Sequence, residues 1–404
     1  MLLHLLYNDH KFIDYIVEYF EAANPGQNVF AAWGKQLNAG SENADKVTLV
    51  NKNDFRQEPV LRKEYTGIVA HGLDAERALF LQQVDPKIPV AWLIFGQEYY
   101  SIIRGVRNSL LEKDTKLLNN HLEWKKWPLR HLLKKSFSKF RGSQCHDLLC
   151  RMTRGYPSND RVVRAAIERA DFVGCPYVEE FEYIQSKFNL TGKSIDFCYY
   201  NLEDTATGCL DETITGDNVL VGNSSSVTNN HLEVIDVLAR HRSEFEKVSI
   251  PLGYGEANYR EAIVSAGRER LGNQFDPWTE FIDRSEYVRR ALKCKVAIMN
   301  HRRQQGVGTI LTLLWIGSKL FLNPQSTVYT FLKRFGVTVY SVQDLIDNRL
   351  DSPFERLTAE EMENNRALLR QQFNKEKIIE NTYRLVESVY RQSNKSNFSE
   401  TVAT

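Results

Sequence analysis

The feature that most constrains the fold of this chain is a repeated alternation of short β-prone runs with helical patterns. In the first half, the β-prone runs are 2–6, 46–50, 67–70, 89–95, 171–174 and 195–200. Helical patterns lie between them at 11–22, 75–83, 161–170 and 178–188. Because parallel strands joined by crossover helices produce this alternation, the first half is predicted to be an α/β domain.

A second alternating series follows a polar segment, 201–217, which has few periodic apolar residues and which we interpret as the interdomain linker. Its predicted strands are 218–221, 247–250, 295–299, 319–322 and 337–340, and its predicted helices are 230–241, 257–266, 285–292, 308–316 and 327–335. The sequence therefore predicts two Rossmann-like domains of the α/β class. They cover 1–205 and 206–370, and a C-terminal helix with a frayed tail covers 371–404.

Composition limits the environment of the protein. The 52 lysines and arginines nearly cancel the 51 aspartates and glutamates, so the net charge gives no general attraction to nucleic acid. The six cysteines show no C-x-x-C pair and no metal-ligand spacing, which is typical of a reducing compartment. The longest uncharged apolar stretch is about 13 residues, shorter than the roughly 20 needed to span a bilayer. We expect a cytoplasmic protein without a membrane span or a secretion signal.

Polar loops that contain glycine follow two consecutive strands of the second half. In open parallel sheets, ligands bind beyond the carboxyl ends of the strands, and free N–H groups at a helix start favour phosphate. Both loops are therefore candidate nucleotide-binding sites, although, taken alone, the first is better explained by ordinary helix capping and the second equally well by a plain turn. Their candidate residues are Gly222, Asn223, Ser224, Ser225, Gly253 and Tyr254.

The third loop of this series, 301–309, is the most specific, because it is polar and yet precedes a strongly apolar helix. Its arginines and glutamines supply charged and neutral donors for phosphate or sugar hydroxyls. Its two glycines permit close approach of the backbone to a ligand at a helix start. A ligand site explains this pattern better than a structural role does. The candidate residues are Arg302, Arg303, Gln304, Gln305, Gly306, Gly308 and Thr309.

Together, the three loops resemble those of glycosyltransferase family 56, the bacterial 4-acetamido-4,6-dideoxygalactose (Fuc4NAc) transferases. The resemblance covers most of 218–345 and is weaker at 71–72 and 92–99, where Glu98 stands in place of an aspartate of the family pattern. It implies the GT-B architecture, in which two Rossmann-like domains face a central cleft and the C-terminal helices pack back. The second domain is then the donor-binding domain and the first the acceptor-binding domain.

The resemblance also implies a reaction and a location. An amino-dideoxyhexose would pass from a dTDP-sugar to an undecaprenyl-diphosphate-linked saccharide during the synthesis of a bacterial surface polysaccharide. The enzyme would act as a peripheral protein on the cytoplasmic face of the inner membrane. A nucleotide-sugar epimerase of similar fold and a non-catalytic subunit that binds sugar nucleotides are the alternatives.

Three polar residues that follow predicted strands of the first half are candidates for the catalytic base: Glu98, His71 and, ranked third, Asp9. A carboxylate or imidazole at such a position is able to deprotonate the acceptor hydroxyl. Each of the three is also explained as a helix cap or as a satisfied polar group of the core. Because the chain has no D-x-D pair and no metal-ligand spacing, we expect neither metal nor cofactor. Loop amides and Arg302 or Arg303 would then stabilise the leaving group.

The segment 123–141 carries seven lysines and arginines against one acid, with aromatic and aliphatic residues interleaved. This combination is typical of a segment that binds an anionic membrane surface. A solvated helix with one packed side is the alternative, and the nearly neutral overall charge disfavours nucleic acid. The predicted membrane-docking residues are Trp124, Lys125, Lys126, Trp127, Lys134 and Lys135.

Overall fold

The computed structural model describes residues 1–34, 36–37, 41–51, 58–103, 109–126, 144–154 and 156–401. These residues form two compact units. The first unit takes the described residues of 1–103, 136–199 and 375–404, and the second takes those of 104–135 and 200–374. Helices and strands are numbered below in chain order across both units.

The first unit is built on a seven-stranded parallel sheet with the order β3-β2-β1-β4-β5-β6-β7. All five residues of the first strand are buried, as expected for a parallel sheet covered on both faces. The strands are β1 (Leu2–Leu6), β2 (Asn28–Trp33), β3 (Val47–Val50), β4 (Gly67–His71), β5 (Val90–Leu93), β6 (Phe172–Cys175) and β7 (Lys193–Asp196). The helices are α1 (His10–Ala23), α2 (Ala75–Leu81), α3 (Gln97–Ile102), α5 (Gln144–Arg154), α6 (Asn159–Arg169), α7 (Val178–Gln185) and α16 (Lys375–Thr401).

The C-terminal helix α16 packs on the first unit, where it contacts α1. It lies so close to the sheet that a Cβ atom on Gly67 would be 2.2 Å from Cγ1 of Val389. The Nδ2 atom of Asn24 also donates a hydrogen bond to the Tyr390 hydroxyl, at 3.1 Å. The chain therefore returns to the first unit at its end, whereas the predicted division treats 371–404 as a separate segment.

The second unit contains a six-stranded parallel sheet with the order β10-β9-β8-β11-β12-β13. Its strands are β8 (Asn218–Val221), β9 (Val248–Pro251), β10 (Phe275–Trp278), β11 (Cys294–Met299), β12 (Lys319–Leu322) and β13 (Tyr340–Ser341). Its helices are α4 (Lys113–Lys126), α8 (Leu202–Thr205), α9 (His231–Leu238), α10 (Ala257–Leu271), α11 (Arg284–Ala291), α12 (Val307–Ile316), α13 (Thr327–Arg334), α14 (Val342–Ile346) and α15 (Ala359–Phe373).

The core on one face of the second sheet shows why these strands form. Side chains of β8, β9 and β11 pack on α9 and α10, and each strand contributes every second residue to this face. The buried cluster includes Val219, Val221, Val248, Ile250, Val296, Ile298, Ile235, Leu238 and Ile263.

The predicted α/β class with two parallel-sheet domains is confirmed. Among the strands of the described residues, β2 and β10 were not predicted. The second of these is an edge strand that contains Asp276 and Pro277, residues that are rare inside sheets. The division between the units also differs from the predicted boundary at 205, because α4 belongs to the second unit.

Only some of the predicted membrane-docking residues lie in the described part of the chain. Trp124, near the end of α4, is 52% exposed. Lys125 and Lys126 belong to the same helix but their side chains are not described, and Trp127, Lys134 and Lys135 lie outside the described residues. Over the described ranges, we find no helix whose length and hydropathy would suit a bilayer crossing.

Candidate functional site

The strand order of the second unit creates a switch point between β8 and β11. From β8 the chain moves to β9 and β10 on one side, and from β11 it moves to β12 and β13 on the other. The loops that follow β8 and β11 therefore leave the same edge of the sheet and diverge, which opens a crevice between them. This is the position at which parallel α/β sheets bind nucleotides, and the first and third candidate loops occupy it.

Asn223 connects all three candidate loops through its side chain. Its Oδ1 atom accepts a hydrogen bond from Nε2 of Gln305 at 3.0 Å. Its Nδ2 atom lies 3.4 Å from the Tyr254 hydroxyl, which accepts from it. The Oε1 atom of Gln305 accepts in turn from the Thr228 hydroxyl at 2.6 Å. The structure thus brings together the loops that the sequence left separate.

The second loop is held to the first through the backbone of Tyr254. Its carbonyl accepts from both the N–H group and the hydroxyl of Ser225, at 2.8 and 2.7 Å. Gly255 has a φ of 118°, and a Cβ atom there would lie 2.6 Å from Oγ of Ser225. Only glycine fits this approach. The Tyr254 side chain is 54% exposed, so its ring is presented to solvent at the edge of the sheet.

The third loop ends at a helix start suited to an anion. Gly306, the N-cap of α12, has a φ of 65° and provides no side chain that accepts from the first turn. The first intrahelical bond runs from Ile310 to the Gly306 carbonyl, so the N–H groups of Val307, Gly308 and Thr309 precede the helical ladder. These groups and the helix dipole favour a negatively charged ligand.

The two arginines of the third loop have different surroundings. The Arg302 guanidinium binds both carboxylate oxygens of Glu112, with Nε 2.9 Å from Oε1 and Nη2 2.7 Å from Oε2. Its Nη1 atom donates to the Ser109 carbonyl at 3.0 Å. Arg302 therefore anchors the segment that precedes α4. Arg303 is partly exposed and donates to the Gln304 carbonyl at 3.3 Å, which makes it the better candidate for contact with a ligand.

His71 is fully buried in the first unit. Its Nε2 atom is 3.1 Å from Nδ1 of His4, and its Nδ1 atom is 3.1 Å from the Tyr199 hydroxyl. Burial, with His4 and Arg77 nearby, holds the pKa of His71 well below its usual value. As placed here, the imidazole has no nitrogen directed to solvent, so a role as catalytic base needs a rearrangement.

Glu98 is 7% exposed and Asp9 is half-buried. The Oε1 atom of Glu98 accepts from the Phe95 N–H group at 2.8 Å and from Nε1 of Trp92 at 3.3 Å. Its Oε2 atom has no hydrogen-bond partner among the described residues, and burial raises the pKa of Glu98 to about 7. The Asp9 carbonyl accepts from the N–H groups of two residues at the start of α1. Of the three base candidates, Asp9 is the one with a partly exposed side chain.

Two residues near the site had no signal in the sequence. Thr228 orients Gln305, and Glu112 pairs with Arg302 across 190 positions of the chain. A threonine ahead of a helix is an ordinary cap residue, and a glutamate of an inserted segment has no motif. In the portions of the chain that are described, no three His, Cys, Asp or Glu side chains cluster closely enough to hold a metal ion.

Solved structures that share this architecture include glycosyltransferases of the GT-B fold. Sucrose-phosphate synthase from Thermosynechococcus elongatus is 11% identical, with a TM-score of 0.60 over 96% of this chain and 99% of that one. Trehalose-6-phosphate synthase from Burkholderia multivorans is 8% identical, with a TM-score of 0.58 over 98% and 99%. HepE from Anabaena, in complex with UDP and glucose, is 12% identical, with a TM-score of 0.57 over 96% and 98%. Identities this low show the fold alone.

Residues 188–376 match the family model described as 4-alpha-L-fucosyltransferase, glycosyl transferase group 56. This segment contains all three candidate loops, and the match confirms the resemblance that they predicted. The second half of the chain therefore matches a glycosyltransferase family, and the chain shares the GT-B fold of the solved structures.

Proposed function

We propose that the protein transfers an amino-dideoxyhexose, Fuc4NAc, from a dTDP-sugar to an undecaprenyl-diphosphate-linked saccharide, without a metal ion. The observation that carries this proposal is the convergence of three polar loops on the switch point beside the uncapped start of α12. The fucosyltransferase description of the group 56 model supports a deoxyhexose as the transferred sugar. The product would be an intermediate of a bacterial surface polysaccharide.

In this proposal the donor diphosphate binds at the start of α12, against the N–H groups of its first turn. As the bond between sugar and phosphate breaks, negative charge develops on the departing nucleotide. Fixed dipoles and a nearby guanidinium stabilise such charge without the reorganisation that water needs. Arg303 supplies the guanidinium, and the exposed Tyr254 ring offers a flat surface on which a nucleobase stacks.

The acceptor side of the proposal rests on sequence. The basic and aromatic segment 123–141 suits an anionic membrane surface, where a lipid-linked acceptor resides. The enzyme would then be a peripheral protein of the cytoplasmic face of the inner membrane. Among the three base candidates, Glu98 has a pKa near the working pH, which suits proton transfer. Its burial, like that of His71, requires an opening before it reaches an acceptor, and Asp9 does not carry that requirement.

A transfer assay tests the proposal. The protein is incubated in EDTA with dTDP-, UDP- and GDP-linked deoxyhexoses, and with a lipid-linked saccharide presented in anionic vesicles, and products are identified by mass spectrometry. We expect transfer from dTDP-Fuc4NAc in EDTA, and slower transfer when the vesicles are zwitterionic.

Other outcomes contradict separate parts of the proposal. Preference for a UDP-sugar removes the assigned donor, and loss of activity in EDTA that Mn²⁺ restores removes metal independence. An epimerised donor formed without acceptor supports the epimerase alternative. Tight donor binding without any product supports the non-catalytic alternative.

A further inference from the structure

One buried amide, that of Asn229, lies beneath the loops of the switch point and contacts both the first and the third. Its side chain is fully buried. The Oδ1 atom accepts from the Asn223 N–H group at 3.0 Å and from Nε2 of His301 at 2.7 Å. The Nδ2 atom donates to the Ser224 and Ser226 carbonyls, at 3.0 and 3.1 Å, and lies 3.3 Å from the Ser224 hydroxyl. Every polar atom of the amide is thus used for holding loop residues.

The orientation of this amide is fixed by its backbone partners. Two carbonyls require the NH₂ group on one side, and a backbone N–H group requires the oxygen on the other. The Nε2 atom of His301 must therefore carry a proton and donate to Oδ1 of Asn229. Burial, with Arg303 nearby, lowers the pKa of His301 to about 3, so the ring is neutral at physiological pH. The contact is a neutral hydrogen bond of defined direction.

The loop also wraps closely around the amide. A Cβ atom on Gly222 would lie 2.7 Å from Oδ1 of Asn229. The first loop is in turn bonded to the second through Ser225 and Tyr254. Loosening the amide would therefore weaken the hold of the first loop on the third, which the Gln305 bonds to Asn223 and Thr228 would still maintain in part. It would also affect the second loop through Ser225.

We propose that Asn229 is the positioning residue of the nucleotide site, holding the loops after β8 and β11 in register across the switch point. This inference rests on the proposed function, because it assumes that a nucleoside diphosphate binds there. Asn229 is fully buried and acts through Asn223, Ser224 and His301 rather than by touching the ligand.

The test compares Asn229→Asp with Asn365→Asp. At residue 229 the carboxylate keeps an acceptor for Asn223 and His301 but turns an oxygen toward two carbonyls. Asn365 is also a fully buried amide of the second unit, and it bonds the N–H and C=O groups of Thr338, at 2.7 and 3.3 Å. It lies on α15, outside the loops of the switch point. Both variants thus suffer the same chemical change, and only the first alters the loops.

The measurements are the dissociation constant of dTDP by calorimetry and amide hydrogen exchange over 222–226 and 301–306. We expect Asn229→Asp to weaken dTDP binding about tenfold and to speed exchange in both segments, since a buried donor is lost and a repulsion gained. Asn365→Asp should bind dTDP as the wild type does. If Asn229→Asp does not fold, His301→Leu and His301→Gln replace it. The glutamine side chain keeps an N–H donor for Asn229, so the His301→Gln variant should bind dTDP more tightly than the His301→Leu variant does.

Unchanged dTDP affinity in Asn229→Asp, with a wild type that binds, overturns the positioning role and leaves the proposed function intact. Equal weakening in Asn365→Asp also overturns it, because the effect is then one of general stability. Failure of the wild type to bind dTDP or any other nucleoside diphosphate contradicts the proposed function instead. The exchange data then still decide whether Asn229 holds the loops.

Discussion

Replacing Gly222 by alanine is expected to lower the free energy of unfolding by about 3 kcal/mol and to eliminate measurable nucleotide binding. Gly222 has a φ of 67°, which costs energy for any residue with a Cβ atom. A Cβ atom at this position would lie 2.6 Å from Nε2 of His231 and 2.7 Å from Oδ1 of Asn229. Both neighbours are fully buried side chains, so one of them or the loop must shift to accept the Cβ atom. The strain therefore falls on the loop that follows β8 or on these neighbours.

Gly208→Ala provides the control for this prediction. Gly208 also has a positive φ, of 80°, but no atom of the described residues lies within 4 Å of the position that its Cβ atom would occupy. The backbone cost is therefore common to both variants, about 1 kcal/mol. Urea denaturation and dTDP calorimetry measure the two effects. Equal loss of stability in both variants, with normal dTDP binding in Gly222→Ala, contradicts the tight packing described around Asn229.

The second large effect concerns the buried carboxyl of Glu98. Its pKa is raised to about 7, above the usual value near 4.5, because burial penalises the charged form. The folded protein therefore holds this proton more tightly than the unfolded chain does. The contribution of Glu98 to the free energy of unfolding is fully present below about pH 4.5. It falls as the pH rises to about 7 and stays level above that. The total loss from this group is about 3 kcal/mol.

Glu98→Gln removes this dependence because glutamine does not titrate. Relative to the wild type, the variant should gain about 3 kcal/mol of stability between pH 4 and pH 9. Glu64→Gln, at an exposed position, controls for the removal of one negative charge. Melting temperatures across this range measure the effect. A wild type and a Glu98→Gln variant with parallel pH profiles contradict the raised pKa.

The same variant bears on catalysis. If Glu98 is the base, Glu98→Gln should lose turnover while binding dTDP normally. Retained turnover in Glu98→Gln transfers the role to Asp9 or His71, which are then substituted in turn. If turnover survives substitution of each of the three residues, none of them is the base.

The sequence was informative where local pattern decides structure. The strands β8 and β12 have the predicted bounds, and the polar loops after β8, β9 and β11 lie at the carboxyl edge of the sheet as expected. Periodicity and glycine placement are local properties, so they can be predicted from the sequence alone. Strand β10 was not predicted because its short Phe-Asp-Pro-Trp run has no alternating apolar pattern and contains a proline, which is tolerated here because β10 is an edge strand.

The contacts between side chains inside the site could not be predicted from the sequence in the same way. The sequence predicts Arg302 as a phosphate ligand, but in the structure its guanidinium forms an ion pair with Glu112, which is distant in the sequence. In the sequence, His71 and Glu98 fit either a catalytic base or a polar group of the core, and their burial depends on what the rest of the first unit packs over them. The sequence gives no signal for Asn229, whose amide bonds two loops. In each case the deciding partner is fixed by tertiary structure rather than by spacing.

A crystal structure of the protein with bound dTDP tests the central claim most directly. The account predicts that the diphosphate accepts hydrogen bonds from N–H groups of the first turn of α12, beside the loop that begins at Gly222, with Arg303 close to it. A diphosphate bound at the carboxyl edge of the first sheet, or away from the switch point of the second, would contradict the account.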